Sequence, residues 1–213
     1  MNRVETFGAL LVWMLFAALT YEVVTHGPVT AVDPAAMAWA TTHRNVVLTR
    51  AAYWVSETGG PSITAVYAAL LVLILLTRRR WASALAVGFI VYVAIALNVL
   101  MKDLVHRGRP VMEDPLVHLV TYSFPSGHAA ASTVFGGLSM MLWARSHGER
   151  TTAIGSVAIL VWIAAVCGSR IYLGAHYPTD VAGGVLEGTG WVLLCSLAVR
   201  RWQIPLAWSD RSR

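Results

Sequence analysis

Apolar residues are concentrated in six long runs that short polar segments separate. The runs are Phe7–Val24, Pro61–Thr77, Trp81–Met101, Ala129–Arg145, Ala153–Cys167 and Val181–Val199. A helix needs about 20 mostly apolar residues to cross the hydrocarbon core of a bilayer, and somewhat shorter runs also suffice. The pattern therefore predicts an all-α fold, a bundle of six transmembrane helices that forms one domain over residues 1–213.

The segment between the first two runs has a mixed character. Over Val29–Val47, Trp39 stands among alanines and threonines. Such a stretch is typical either of a short helix lying at the membrane interface or of a plain loop, and both interpretations stay open. Glu57–Pro61, with two glycines before the proline, predicts a turn that enters the second helix.

The composition fits a membrane protein. Of the 213 residues, 57% are hydrophobic and 13% are charged, and the mean hydropathy is +0.61, whereas soluble domains have about 25% charged residues. The net charge of +5 comes almost wholly from arginines at the ends of apolar runs, which indicates membrane topology rather than nucleic-acid binding. Cys167 and Cys195 lie inside apolar runs without metal-ligand spacing and predict packing residues.

The placement of cationic residues predicts the orientation. With the N-terminus in the cytoplasm, ten of them fall inside and six outside, and Arg78–Arg80 lies in a very short inner loop. The inner residues are Arg3, Arg78, Arg79, Arg80, Arg145, Arg150, Arg200, Arg201, Arg211 and Arg213. Because cytoplasmic loops carry an excess of lysine and arginine, we expect both termini inside.

Three polar segments then fall on the outer, extracytoplasmic face. They are Lys102–Pro110, Pro125–His128 and Ser169–Asp180. An odd number of crossings between any two of them would have placed them on opposite faces. Their common side predicts one polar site at the outer membrane surface.

The first segment contains two cations that suit phosphate oxygens. Lys102 and Arg109 are seven residues apart, which brings them near one face of a helix, although the intervening glycine predicts that the helix loosens before Arg109. Arginine supplies a planar fork and lysine a compact point charge. For Arg107, anchoring to lipid headgroups or pairing with Asp103 is the favoured interpretation.

The second segment leads into an apolar helix. Ser126 is expected to cap that helix, and Gly127 would let the backbone approach an anion at the helix N-terminus. A simple helix cap beside an interfacial His128 is the alternative interpretation.

The third segment combines a cation, a histidine and a carboxylate. Arg170 follows an apolar helix, and His176 lies four residues before Asp180. A carboxylate that accepts a hydrogen bond from one imidazole nitrogen leaves the other nitrogen free to attack. The alternative is an acidic residue that merely favours a helix N-terminus, with His176 on the surface.

Together, the segments resemble the signature of the type 2 phosphatidic acid phosphatase family. That signature is Lys-x6-Arg-Pro, then Pro-Ser-Gly-His, then Ser-Arg-x5-His-x3-Asp, and the chain carries all three parts in order. The resemblance implies an integral membrane lipid phosphatase with a six-helix bundle and its active site at the extracytoplasmic surface.

The resemblance also implies roles for the motif residues. His176 would attack phosphorus and form a phosphohistidine, Asp180 would orient it, and His128 would protonate the leaving oxygen. The phosphate would be held by Lys102, Arg109, Ser126, Gly127 and Arg170. No metal or other cofactor is implied, because the cations take a metal's electrostatic role, and the sequence has no acidic cluster for magnesium or histidine set for zinc.

The resemblance further implies that the substrate is a lipid phosphate or diphosphate whose tail stays in the bilayer. In a bacterial plasma membrane, which the small arginine-rich chain favours, the leading candidate is undecaprenyl diphosphate. Phosphatidylglycerophosphate and phosphatidic acid are alternatives, because the motifs bind phosphate and not the tail. Vanadium haloperoxidases share the signature but are soluble, and a non-catalytic lipid-phosphate binder or transporter would not need the two histidines and the carboxylate.

A few further polar residues have open interpretations. Glu187 lies about two turns beyond Asp180 and could support the site, line the substrate's path or form a neutral hydrogen-bonded pair. Asn98 is expected to hydrogen-bond within the bundle, and His106 could approach the site. The sequence does not predict the oligomeric state, since three glycines of the last run could pack within the bundle or between protomers. They are Gly183, Gly184 and Gly188.

Overall fold

A computed structural model describes residues 3–112, 114–145 and 147–204. Within these ranges the regular structure is helical, with no strand. The helices are α1 (Arg3–Thr25), α2 (Val32–Thr42), α3 (Val46–Thr58), α4 (Pro61–Thr77), α5 (Trp81–Val105), α6 (Gly127–Ala144), α7 (Glu149–Tyr172) and α8 (Pro178–Arg201). Arg211 and Arg213, which entered the orientation prediction, lie outside the described residues.

Every predicted apolar run forms a helix, and α4 has the predicted bounds. The mixed segment contains α2, so the plain-loop interpretation is wrong there. Helix α3 was not predicted, because its β-branched first residues have low helix propensity. It begins after Asn45, whose side chain accepts a hydrogen bond from the Leu48 amide at 2.9 Å and thereby caps the helix.

The described helices make the chain a multi-pass membrane protein. By length and composition, α1, α5, α7 and α8 can each cross a bilayer, and α3 with α4 meets the same criterion as a pair bent by 42°. Helix α6 has 18 residues rich in glycine, alanine and serine and is not among these candidates. The all-α fold is confirmed, and the sixth crossing stays a prediction.

Helix α6 lies at the centre of the bundle. It packs against α4, α5, α7 and α8, and small residues on α8 permit the close approach. A Cβ atom at Gly184 would lie 2.4 Å from the Ser126 carbonyl oxygen, and one at Gly188 would lie 2.9 Å from the Ala130 carbonyl oxygen. These glycines therefore serve packing within the bundle.

One apolar cluster fills the end of the bundle opposite the three motif segments. Its buried members come from α4, α5, α6 and α8 and are Ala68, Leu75, Ala84, Val87, Ile90, Val91, Ala94, Val134, Leu138, Leu142, Cys195 and Val199. Since these four helices are held together at that end, their other ends can present polar groups to one another.

Replacement of Gly184 by alanine should destabilise the bundle. The new methyl group would meet the backbone at the start of α6, which cannot move aside as a side chain can. We therefore expect overpacking to lower the free energy of unfolding by about 1–3 kcal/mol. Gly168→Ala in α7 is the matched control, because its Cβ atom would meet nothing within 4 Å. Thermal unfolding in detergent should show a lower midpoint for Gly184→Ala alone, and equal midpoints would contradict the close approach of α6 and α8.

Candidate active site

The three motif segments meet at one end of the bundle. Six of the eight predicted site residues line a single cavity of about 210 Å³, and they are Lys102, Arg109, Gly127, His128, Arg170 and His176. The other two are fully buried. Ser126 directly precedes Gly127 in the sequence, and Asp180 faces His176. The end of α5, the start of α6, the end of α7 and the start of α8 supply Lys102, Gly127, His128, Arg170 and Asp180, whereas Arg109, Ser126 and His176 lie in the adjoining loops.

His176 presents its two ring nitrogens to different surroundings. Its Nδ1 atom faces the Asp180 carboxylate, 3.5 Å from Oδ2, and its Nε2 atom lies 3.3 Å from Arg109 Nη1. A proton on Nδ1 directed at the carboxylate leaves the Nε2 lone pair free, although 3.5 Å is long for a hydrogen bond. Burial lowers the pKa of His176 to about 4 despite the opposing effect of Asp180, so the ring is neutral at pH 7.

Both oxygens of Asp180 have partners. Oδ1 accepts a hydrogen bond from Arg107 Nη1 at 2.5 Å. Oδ2 accepts from the Tyr177 amide at 2.9 Å and from the Ser123 hydroxyl. The carboxylate is thereby fixed in one orientation beside His176.

The expected pairing of Arg107 with Asp103 is wrong. Helix α5 ends at Val105, and His106 adopts a left-handed conformation with φ 54°, so Asp103 and Arg107 are not neighbours on one helical face. Arg107 instead turns inward to two buried carboxylates, and with a side chain that is 12% exposed it is not available to anchor lipid headgroups.

Backbone carbonyl groups orient two of the cations. Lys102 Nζ donates to the carbonyl oxygen of Tyr122 at 2.8 Å. Arg109 donates to the carbonyl oxygens of Thr121 and Ala175, each at 2.7 Å. These neutral partners hold the charged groups at the cavity without cancelling their charge, while burial lowers the pKa of Arg109.

Two buried donors of the predicted site residues have no partner among the described residues. They are the Nε atom of Arg170 and the hydroxyl group of Ser126. Arg170 is otherwise held through a 2.5 Å hydrogen bond from Nη1 to the Ser56 hydroxyl. Ser126 occupies the N-cap position of α6, but its side chain makes no capping hydrogen bond, so the predicted cap is wrong. Both donors are free to serve a ligand oxygen.

A break between α3 and α4 makes room for His128. A Cβ atom on Gly60 would stand 3.1 Å from His128 Nε2, and the neighbouring Pro61 lines the same cavity. The predicted turn at Glu57–Pro61 is confirmed as this break, and it also forms part of the cavity wall.

The polar residues with open interpretations have clear positions. Asn98 donates from Nδ2 to Glu187 Oε2 at 2.6 Å within the bundle, as expected, and Asn98 also lines the cavity. Glu187 thus forms the hydrogen-bonded pair. His106 is exposed and stacks edge-on against Tyr122, with ring centroids 4.5 Å apart, and it does not line the cavity.

Sequence reasoning missed three residues of the site. Ser123 bonds Asp180, Ser56 bonds Arg170, and Asp33 of α2 bonds Arg107. Each is a single polar residue outside the motifs with no diagnostic spacing. Only Asp33 gives a faint signal, as an acid in an otherwise apolar stretch.

The assembled groups suit phosphoryl transfer. A neutral imidazole nitrogen faces a cavity that also contains three cations and a second histidine. Phosphoryl transfer spreads negative charge over the equatorial oxygens, which positioned cations stabilise, and an imidazole nitrogen can act as the nucleophile. Across residues 3–112, 114–145 and 147–204, no three His, Cys, Asp or Glu side chains are grouped to hold a metal ion.

Known proteins share this sequence pattern. The sequence profile of the PAP2 superfamily matches residues 83–204, which include all three motifs. Decaprenylphosphoryl-5-phosphoribose phosphatase of Mycolicibacterium smegmatis is 40% identical over 110 residues, 50% of this chain and 53% of the relative. Phosphatidylglycerophosphatase B of Bacillus subtilis is 38% identical over 99 residues, 43% of this chain and 46% of the relative. The alignments thus span about half the length of these relatives.

The fold has a counterpart among solved structures. The crystal structure of a transmembrane PAP2 type phosphatidylglycerolphosphate phosphatase from Bacillus subtilis superposes with a TM-score of 0.81. The superposition covers 96% of this chain and 98% of that one, at 22% sequence identity, and shows a common fold. With the profile match over more than half of its residues, this chain belongs to the PAP2 superfamily.

Proposed function

We propose that this protein is a lipid phosphatase that works through a phosphohistidine without a metal ion. The observation that carries the proposal is the setting of His176. Its ring is neutral at pH 7, one nitrogen faces Asp180, and the other lies at a cavity wall that holds three cations. Family membership and the phosphatase names of the relatives support phosphate ester hydrolysis as the overall reaction.

In the first step, His176 Nε2 attacks phosphorus. The new P–N bond forms as the bond from this phosphorus to its bridging oxygen breaks, and the imidazolium form of His128, which a bound phosphate anion favours, gives its proton to that oxygen. The oxygen leaves on a lipid alcohol when the substrate is a monoester and on a lipid monophosphate when it is a diphosphate. In the second step, water attacks the phosphohistidine while His128 takes a proton from it. The P–N bond then breaks, inorganic phosphate leaves, and the cycle ends with His176 neutral and His128 protonated.

The cations hold the phosphoryl oxygens during both steps. Lys102, Arg109 and Arg170 supply positive charge around the cavity. Arg170 Nε and the Ser126 hydroxyl add two donors that have no partner in the described part of the chain. Gly127 opens the first turn of α6, where free backbone N–H groups favour an anion.

An apolar wall of the same cavity favours a lipid substrate. It continues from the cations along the bundle interior, and its members are Pro61, Val91, Ala94, Ile95, Val99, Ala130, Ala131 and Val134. A headgroup phosphate at His176 would place the attached chain against this surface. A soluble phosphate ester would gain nothing from it.

Undecaprenyl diphosphate is the substrate that we propose first. One relative is named for a polyprenyl-linked phosphate, which supports this choice. Another is named for phosphatidylglycerophosphate, which is an alternative together with phosphatidic acid. A non-catalytic lipid-phosphate binder or transporter is disfavoured by His176, Asp180 and His128, because binding alone would need only the cations.

We further propose a single domain over residues 1–213, with six crossings of a bacterial plasma membrane. Both termini would lie in the cytoplasm and the site on the extracytoplasmic side. The support is that Arg78–Arg80 lies between α4 and α5, at the end of the bundle away from the motif segments.

Reporter fusions test this orientation. Alkaline phosphatase, which is active only outside the cytoplasm, should be inactive when fused after Arg80 and active when fused after His118. A fluorescent protein that folds only in the cytoplasm should give the reverse pattern. An active alkaline phosphatase after Arg80 would refute the proposed orientation.

Purified protein in detergent should release phosphate from lipid phosphates without added metal. The substrates are ranked by assaying undecaprenyl diphosphate, phosphatidylglycerophosphate and phosphatidic acid with a chelator present. Vanadate should inhibit the activity as a phosphate analogue.

His176→Ala should remain folded and lose turnover. Activity that disappears with the chelator and returns with magnesium, or turnover by His176→Ala, would contradict the mechanism.

A further inference from the structure

Helix α2 contributes a buried carboxylate to the site although it carries no motif residue. The Asp33 side chain is 3% exposed. Its Oδ2 atom accepts hydrogen bonds from Arg107 Nη2 and from the Thr179 hydroxyl, both at 2.6 Å. Its Oδ1 atom accepts from the Thr179 amide at 3.1 Å. Asp33 thus joins α2 to Arg107 and to the first turn of α8.

Arg107 connects Asp33 to the carboxylate beside His176. One guanidinium nitrogen, Nη2, bonds Asp33, and the other, Nη1, bonds Asp180 Oδ1 at 2.5 Å. The guanidinium also lies over the Tyr177 ring, 4.5 Å from its centroid. Burial disfavours the charge of Arg107, but the two carboxylates outweigh this effect and raise its pKa, so Arg107 remains a cation.

The two carboxylates and the guanidinium between them carry one net negative charge beside His176. Asp33 and Asp180 are two carboxylates, and Arg107 is a single cation between them. Without the Asp33 charge, Arg107 would offset Asp180 alone, and His176 would face a neutral pair. Since His176 becomes positively charged as it bonds to phosphorus, this net negative charge stabilises the product of the attack.

We propose that Asp33 is a positioning residue: by pairing with Arg107 it fixes Asp180 and preserves the negative charge that Asp180 presents to His176. This inference rests on the proposed phosphatase function for its kinetic consequence. Its electrostatic consequence, a change in the field at His176, holds whatever the reaction is.

A purely structural role for Asp33 is the competing explanation. Its contact with the Thr179 amide satisfies one of the free N–H groups in the first turn of α8. Asp33→Asn separates the two roles, because asparagine keeps an acceptor oxygen for that amide and loses the charge. A structural role predicts a stability change with no change in the titration of His176.

The groups that face His176 determine the direction of the expected shift. They are Asp180 from α8, Lys102 from α5, Arg109 from the following loop, Arg170 from α7 and His128 from α6. Asp180 raises the pKa of His176, whereas burial and the cations lower it. Loss of the Asp33 charge lets Arg107 cancel more of the Asp180 effect, so the His176 titration midpoint should fall.

The experiment compares wild type with Asp33→Asn and with a matched control. Asp103→Asn removes an exposed acid one residue after Lys102 that takes no part in these contacts. We expect Asp33→Asn to lower kcat by about tenfold, the lower end of the cost of losing an outer partner of a metal-bound histidine, with KM within about twofold. The His176 midpoint, followed by NMR of labelled histidine in micelles, should fall. Asp103→Asn should leave all three quantities unchanged.

The opposite shift provides a second test. Arg107→Gln removes the cation between the carboxylates, so the titration midpoint of His176 should rise. This variant tests the inference even if Asp33→Asn does not fold. A wild-type midpoint in Asp33→Asn, or a midpoint that stays or falls in Arg107→Gln, would overturn the inference. A wild-type protein without phosphatase activity would refute the proposed function instead, while the two titrations would still test the role of Asp33.

Discussion

The buried carboxylate of Asp180 is the constraint on which the rest of the site depends. A buried charge is costly unless it is paired and hydrogen-bonded, and Asp180 is fully buried. Its side chain therefore draws Arg107, Ser123 and the Tyr177 amide toward the start of α8. Its backbone carbonyl accepts a 2.9 Å hydrogen bond from the Ser126 amide, which holds the start of α6 at the same place.

This constraint explains why polar groups can gather in an otherwise apolar bundle. The apolar cluster of α4, α5, α6 and α8 holds one end of the molecule together, and glycines of α8 let α6 approach closely. The cations at the other end are oriented by backbone carbonyl groups and by Ser56, which leaves their charge available to a phosphate.

The sequence predicted the helices well where hydropathy decides the structure. All six apolar runs form helices, and the three motifs meet at one cavity. Helix α3 was not predicted because its first residues are β-branched and its start depends on a cap by Asn45. The partner of Arg107 was predicted wrongly because a single left-handed residue, His106, redirects the chain after α5. Asp33 stands out as an acid in an apolar stretch, but its partner could not be predicted, since a contact across 74 residues of sequence leaves no local pattern.

A covalent bond between His176 and phosphorus would be demonstrated by trapping the phosphohistidine. Protein mixed with a ³²P-labelled lipid phosphate is quenched within the first turnover, digested and mapped by mass spectrometry. We expect an acid-labile, base-stable phosphoryl group on the peptide that contains His176, with more of it in His128→Ala, where breakdown is slowed. Label on another residue, or turnover without any labelled protein in either form, would contradict a phosphohistidine at His176.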